Sequence, residues 1–75
     1  MAPRLTMYVI YDRPHDSPGG FLVRTWTNVG TIIVPGKIVG EGLPTLDAAR
    51  ELVPPTHHNI GRQAGDDPKI VEVWI

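Results

Sequence analysis

Two stretches of this chain are apolar at odd and even positions alike: Tyr-Val-Ile-Tyr at 8–11 and Ile-Val-Glu-Val-Trp-Ile at 70–75. Successive residues of a strand point to opposite faces, so one apolar set of each run can pack on a core. The other set then lies where a small, half-solvated sheet is normally polar. The pattern therefore predicts strands with an apolar surplus, and a third run, 21–27, shares it through Leu22 and Trp26.

The first predicted strand covers 5–11, rich in β-branched and aromatic residues and ended by Asp12-Arg13-Pro14. Residues 12–20 read as a loop, since two prolines, Asp16-Ser17 and Gly19-Gly20 leave no periodicity. A second strand follows over 21–27, then a turn or bulge at Asn28-Val29-Gly30 and a further extended piece at 31–34. Pro35-Gly36 suits the central positions of a type II turn, with Gly supplying the positive φ. Residues 37–41 read as another short strand, weakened by Gly40.

Residues 45–53 form the one predicted helix. Thr45 is its N-cap, Asp47 places negative charge in the first turn, and Leu46, Ala49, Leu52 and Val53 make one apolar stripe. Pro54-Pro55 stops it. The connection 54–68 is long for a small domain, so it is either subdivided by a helical turn near 56–60 or functional. The order β-β-(β)-β-α-β predicts one α+β domain over 1–75. Its core is a mostly antiparallel sheet of about four strands with one helix on one face.

One covered face leaves one open face. Leu5, Met7, Val9 and Tyr11, Phe21, Val23 and Thr25, and Val71, Val73 and Ile75 are the more uniformly apolar sets, expected beneath the helix. The complementary sets put Tyr8, Ile10, Leu22, Arg24, Trp26, Glu72 and Trp74 on the open face, with Arg24 and Glu72 placed to pair across strands. Trp, Tyr and Arg are enriched at interface hot spots, so this face is the expected binding surface. Monomers rarely expose apolar patches of such size, so a second copy, or a partial second core under the long loops, accounts for the face as well.

Composition strengthens that picture. A chain of 75 residues buries only about 60% of the surface it exposes when unfolded, and it has no cysteine for disulfides or thiolate metal sites. Self-association is the remaining supplement. The net charge of −1 argues against nucleic acid as the main partner, which leaves a single-strand nucleic-acid or small-ligand platform as an alternative use of the rings. No run approaches the ~20 apolar residues of a membrane span, and the start lacks a signal-peptide pattern, so no membrane association is expected and the cytoplasm is the default location.

Candidate chemistry adds little. His57-His58, with Asp66-Asp67 and His15, is the one metal-like cluster, but its spacing matches no zinc pattern, and a solvated loop pair is expected instead. Ser17, the only serine, has no nucleophile elbow around it. Asp66-Asp67 before Pro68 reads as an Asx-type turn, and the Gly-rich pieces match neither a phosphate loop nor a dinucleotide fingerprint. No catalytic residue, metal or cofactor is assigned. The expected function is a non-enzymatic interaction protein whose partner is a second copy, a host protein, or both.

The run Met7-Tyr8-Val9-Ile10-Tyr11-Asp12-Arg13-Pro14, the segment Phe21-Leu22-Val23-Arg24-Thr25-Trp26, the piece Leu43-Pro44-Thr45-Leu46-Asp47-Ala48-Ala49-Arg50 and the ending Gly65-Asp66-Asp67-Pro68-Lys69-Ile70-Val71-Glu72-Val73-Trp74-Ile75 resemble a group of small proteins of bacterial genomes and their prophages. The resemblance covers about half the chain and implies no activity, cofactor or catalytic residue. It implies Met7 as an alternative start, with 1–6 a dispensable extension. It also brings the alternative of a mobile-element inhibitor that binds and blocks a host or defence complex, as anti-CRISPR proteins do.

Overall fold

The computed structural model describes residues 4–12, 19–62 and 68–75. Expectations attached to 1–3, to the 13–18 loop with His15 and Ser17, and to the Asp66-Asp67 turn lie outside the described residues. The fold is α+β, as the pattern predicts. An antiparallel four-stranded sheet carries strands β1 (Arg4–Asp12), β2 (Phe21–Val29), β3 (Ile32–Leu43) and β4 (Ile70–Trp74) in the order β3-β2-β1-β4, with one short helix, α1 (Leu46–Arg50).

Residues 31–41 were expected to break at Pro35-Gly36, and they do not. Val29 and Ile32 flank a two-residue turn at Gly30-Thr31, Gly30 having φ 62°, and β3 then runs unbroken for 12 residues. Pro35 pairs with Trp26 in register, and the register shifts between that pair and Arg24–Ile38, so Pro35-Gly36 belongs to a β-bulge. A bulge on an edge strand makes the same demands as a turn. Pro lacks a donor that the edge can spare, and Gly lets the backbone close in. The Thr25 hydroxyl occupies the space beside Gly36, accepting from the Lys37 amide at 3.1 Å and donating to the Lys37 carbonyl at 3.4 Å.

Helix α1 starts where the pattern places it. Thr45 is extended (φ −137°, ψ 159°) and its hydroxyl accepts from the Ala48 amide at 3.1 Å. The helix is shorter than expected; past Arg50 the chain tightens into i→i+3 bonds, Leu52 to Ala49 and Val53 to Arg50, ahead of Pro54. Gly40 is no mere weakness in β3, because a side chain there would strike Leu52 Cδ1 at 2.5 Å. The missing Cβ leaves room for the Leu52 side chain over β3.

The connection is subdivided differently from the helical-turn expectation. After one turn at Pro55-Thr56, residues 58–60 run antiparallel to the outer edge of β4. His58 and Ile75 exchange both backbone bonds (2.7 and 2.9 Å), Asn59 forms a bridge with Trp74, and the Ile60 amide donates to the Val73 carbonyl at 2.8 Å. The β4 edge is thereby lined, whereas among the described residues nothing lines the outer edge of β3. No helix among them is long and apolar enough to cross a membrane.

The core beneath α1 joins Ile10, Val23, Ala49 and Val53, bordered by Tyr8, Phe21, Val39, Leu43, Leu46 and Trp74. Ile10 and Val23 are fully buried and face each other in register. Each such side chain contributes about 1.5–3 kcal/mol by leaving water.

Candidate binding face

The register decides which side chains share a face. β1 and β2 pair Tyr8 with Thr25, Ile10 with Val23 and Asp12 with Phe21; β1 and β4 pair Tyr8 with Trp74 and Ile10 with Glu72. Tyr8, Ile10, Glu72 and Trp74 therefore lie on the helix-covered side with Phe21 and Val23. This corrects the expected face assignment. For β2 it holds, with Phe21, Val23 and Thr25 beneath the helix, but for β1 and β4 it is inverted. Of the seven residues expected on one open face, only Leu22, Arg24 and Trp26 occupy the helix-free side. The physical reason is parity: even-numbered residues of β1 pair with odd-numbered residues of β2, and a strand apolar at both parities does not specify that choice by its own pattern.

The expected Arg24–Glu72 pair is excluded with it, since the two lie on opposite faces. Glu72 pairs instead with Arg50. Arg50 Nε donates to both carboxylate oxygens, at 3.0 and 3.2 Å, and Nη2 binds Oε2. Trp74 Nε1 adds a third donor at 3.1 Å, and Asp47 flanks Arg50 at 3.5 Å. Hydrogen bonding from Arg50, opposed by burial and aided by Trp74, holds the Glu72 carboxyl below the ordinary carboxylate range, and the same pair raises Arg50. Through these bonds the cluster ties α1 to β4.

His57 and His58 are not a free loop pair. His57 packs edge-on against Tyr8, with ring centroids 4.9 Å apart at 85°, and its Nε2 lies 2.9 Å from the Thr6 carbonyl. His58 spends its backbone groups on Ile75.

The helix-free face is nonetheless apolar, with different members. Three rows cross it: Leu5–Asn28–Ile33, Met7–Trp26–Pro35 and Val73–Val9–Arg24–Ile38, with Tyr11–Leu22 beyond them. Leu5, Ile33 and Ile38 are 45%, 56% and 40% exposed; Met7, Tyr11 and Trp26 are half-buried. Trp26 Nε1 donates to the Tyr11 hydroxyl at 2.9 Å, so these two rings join diagonally across the Val9–Arg24 row. That link helps explain why Val9 is 5% exposed on a face without a helix. Arg24, at the middle, is half-buried, and its Nε is sealed from solvent without a hydrogen-bond partner.

Leu5, Met7, Val9, Tyr11, Val73, Ile33 and Ile38 are thus apolar members that alternation missed. The run Ile32-Ile33-Val34, apolar at three successive positions ahead of Pro35, carried a signal for β3. Among the described residues no group of three His, Asp or Glu side chains converges as a metal site. Comparison with protein-family models, curated proteins and solved structures returned no match.

Proposed function

We propose that this protein is a non-enzymatic, cytoplasmic interaction module that binds a protein partner through its helix-free sheet face. The observation that supports the reading is the band Leu5, Met7, Trp26, Ile33 and Ile38, exposed or half-buried on one side of the sheet around Arg24. Contiguous apolar surface rimmed by polar groups, with Trp and Arg central, has the make-up of an interface. Inhibition of a host complex by a mobile-element protein is one biological form of such binding.

Affinity capture from a bacterial lysate tests it, comparing the tagged protein with Trp26→Ala and Ile33→Glu, each checked by circular dichroism. Both variants are expected to stay folded and to lose the partner that the unchanged protein retains. Retention of every co-purifying protein by both folded variants refutes this use of the face.

A second reading, self-association, has its own observation. Ile32 and Val34, 62% and 40% exposed, lie on the opposite side of β3, along the part of its outer edge that none of the described residues lines. Unpaired edge strands are templates for another strand. With the β4 edge occupied by 58–60, β3 is taken as the pairing edge, and β3 with β3 closes as a two-fold dimer. Light scattering across a dilution series decides this, with Val34→Lys expected to give a monomer. A monomer mass for the unchanged chain at every concentration rejects the dimer.

A further inference from the structure

We propose that Arg24 is the recognition centre of the helix-free face and that it takes a carboxylate side chain set among apolar residues of the partner. This rests on the docking reading above and names the partner's chemistry. Arg24 sits between the Met7–Trp26 and Tyr11–Leu22 rows, beside Val9 and Ile38, so its neighbours are aliphatic or aromatic. Its guanidinium is partly withdrawn from water, and Nε has no acceptor. The ion pairs described in the molecule engage Arg50, Asp47 and Glu72, all remote from this face. A cation left under-solvated in apolar surroundings gains most from a ligand that brings two coplanar oxygens, and a carboxylate does so in the geometry of the guanidinium fork.

The same observations rank the other occupants lower. A two-fold contact centred on this face would bring two Arg24 guanidiniums together, and like charges in a desolvated contact repel. A nucleic acid requires a basic surround for its phosphates, whereas Arg24 is bordered by Val9, Ile38, Trp26 and Tyr11 in a chain of net charge −1. The partner segment that fits is an acidic residue flanked by aliphatic or aromatic ones.

Selection of random twelve-residue peptides displayed on phage, run in parallel against the unchanged protein and folded Arg24→Gln, tests the assignment. The unchanged protein is expected to enrich peptides with Asp or Glu among apolar residues. Arg24→Gln is expected to keep the apolar preference and lose the acid. The best acidic peptide should bind Arg24→Gln roughly ten- to a hundredfold more weakly, the range for a hydrogen bond to a charged group. Substituting its acid by the amide should cost the unchanged protein a similar factor. Apolar peptides without an acid overturn the role of Arg24 while leaving the docking face standing. Undiminished binding of every selected peptide to folded Ile33→Glu and Trp26→Ala overturns the face itself. Tighter binding of a labelled oligothymidylate than of any peptide overturns the assignment in favour of nucleic acid.

Discussion

Ile10 is the residue on which the face assignment turns. Alternation along β1 places it on the open side, whereas the register sets it opposite Val23 in the core, both fully buried. Ile10→Ala removes three carbons at the centre of a cluster closed by Ala49 and Val53 on one side and Tyr8 and Trp74 on the flanks. Buried Ile→Ala changes cost about 2–5 kcal/mol, and a site enclosed from both the sheet and the helix relaxes little, which points to about 3–4 kcal/mol. A chain of this size has a total stability of roughly 4–11 kcal/mol, so the variant approaches the unfolding threshold and its midpoint falls by at least ~12 °C. Ile10→Val, costing about 0.5–1.5 kcal/mol, keeps the readout accessible if Ile10→Ala does not fold. Trp26→Ala, on the other face and half-buried, should cost less than about 2 kcal/mol despite deleting the larger side chain. Urea unfolding followed by far-ultraviolet circular dichroism measures all three. A double-mutant cycle sharpens the comparison. Ile10→Val with Val23→Ala should couple by about 0.5 kcal/mol or more, whereas Ile10→Val with Trp26→Ala should be additive within about 0.5 kcal/mol. An Ile10→Ala cost under about 1 kcal/mol, or a Trp26→Ala cost equal to it, refutes the register and the surface built on it.

Acid unfolding should report the Glu72–Arg50 pair. The Glu72 carboxyl is held below its ordinary value of 4.5, so its stabilisation is complete above that pH and is lost as pH falls through the lower folded value. Glu72→Gln should cost roughly 1–2 kcal/mol at neutral pH and flatten the acid limb of the stability curve, and a limb parallel to that of the unchanged protein contradicts the assignment. At the bulge, Gly36→Ala would bring a Cβ to 2.1 Å from Thr25 Oγ1 and should destabilise by about 1–3 kcal/mol in thermal melts. Adding Thr25→Ala should restore part of that loss, and strict additivity would show that Gly36 does not make room for the hydroxyl. Gly30→Ala, with φ 62° and open space around the missing Cβ, should cost about 1 kcal/mol through backbone strain alone.

Local chemistry alone was enough for the α+β class, the strands around 5–11, 21–27 and 70–74, and the helix start at Thr45. β-Branched runs, a capping hydroxyl and paired prolines act within a few residues of themselves. Pro35-Gly36 was legible as a place where the backbone departs from regularity. Whether it departs as a turn or as a bulge depended on β2 lying alongside, with the Thr25 hydroxyl ready to meet Lys37. The lining of β4 by 58–60 was not legible either, since nothing in Pro54-Pro55-Thr56-His57-His58 names Ile75 as a partner. The faces of β1 and β4 were the largest decision left to tertiary structure. Each strand carries apolar residues at both parities, so hydrophobic pattern cannot choose between them, and a one-residue change in register exchanges every side chain. Pairing of Ile10 with Val23 and with Glu72 settles that choice, burying Tyr8 and Trp74 toward the helix side. The opposite side is left with Met7, Tyr11, Trp26, Ile33 and Ile38 around Arg24, whose Nε has no hydrogen-bond partner. An apolar surplus on a second face was therefore written in composition and alternation, while its membership was set by contacts between residues far apart in the chain.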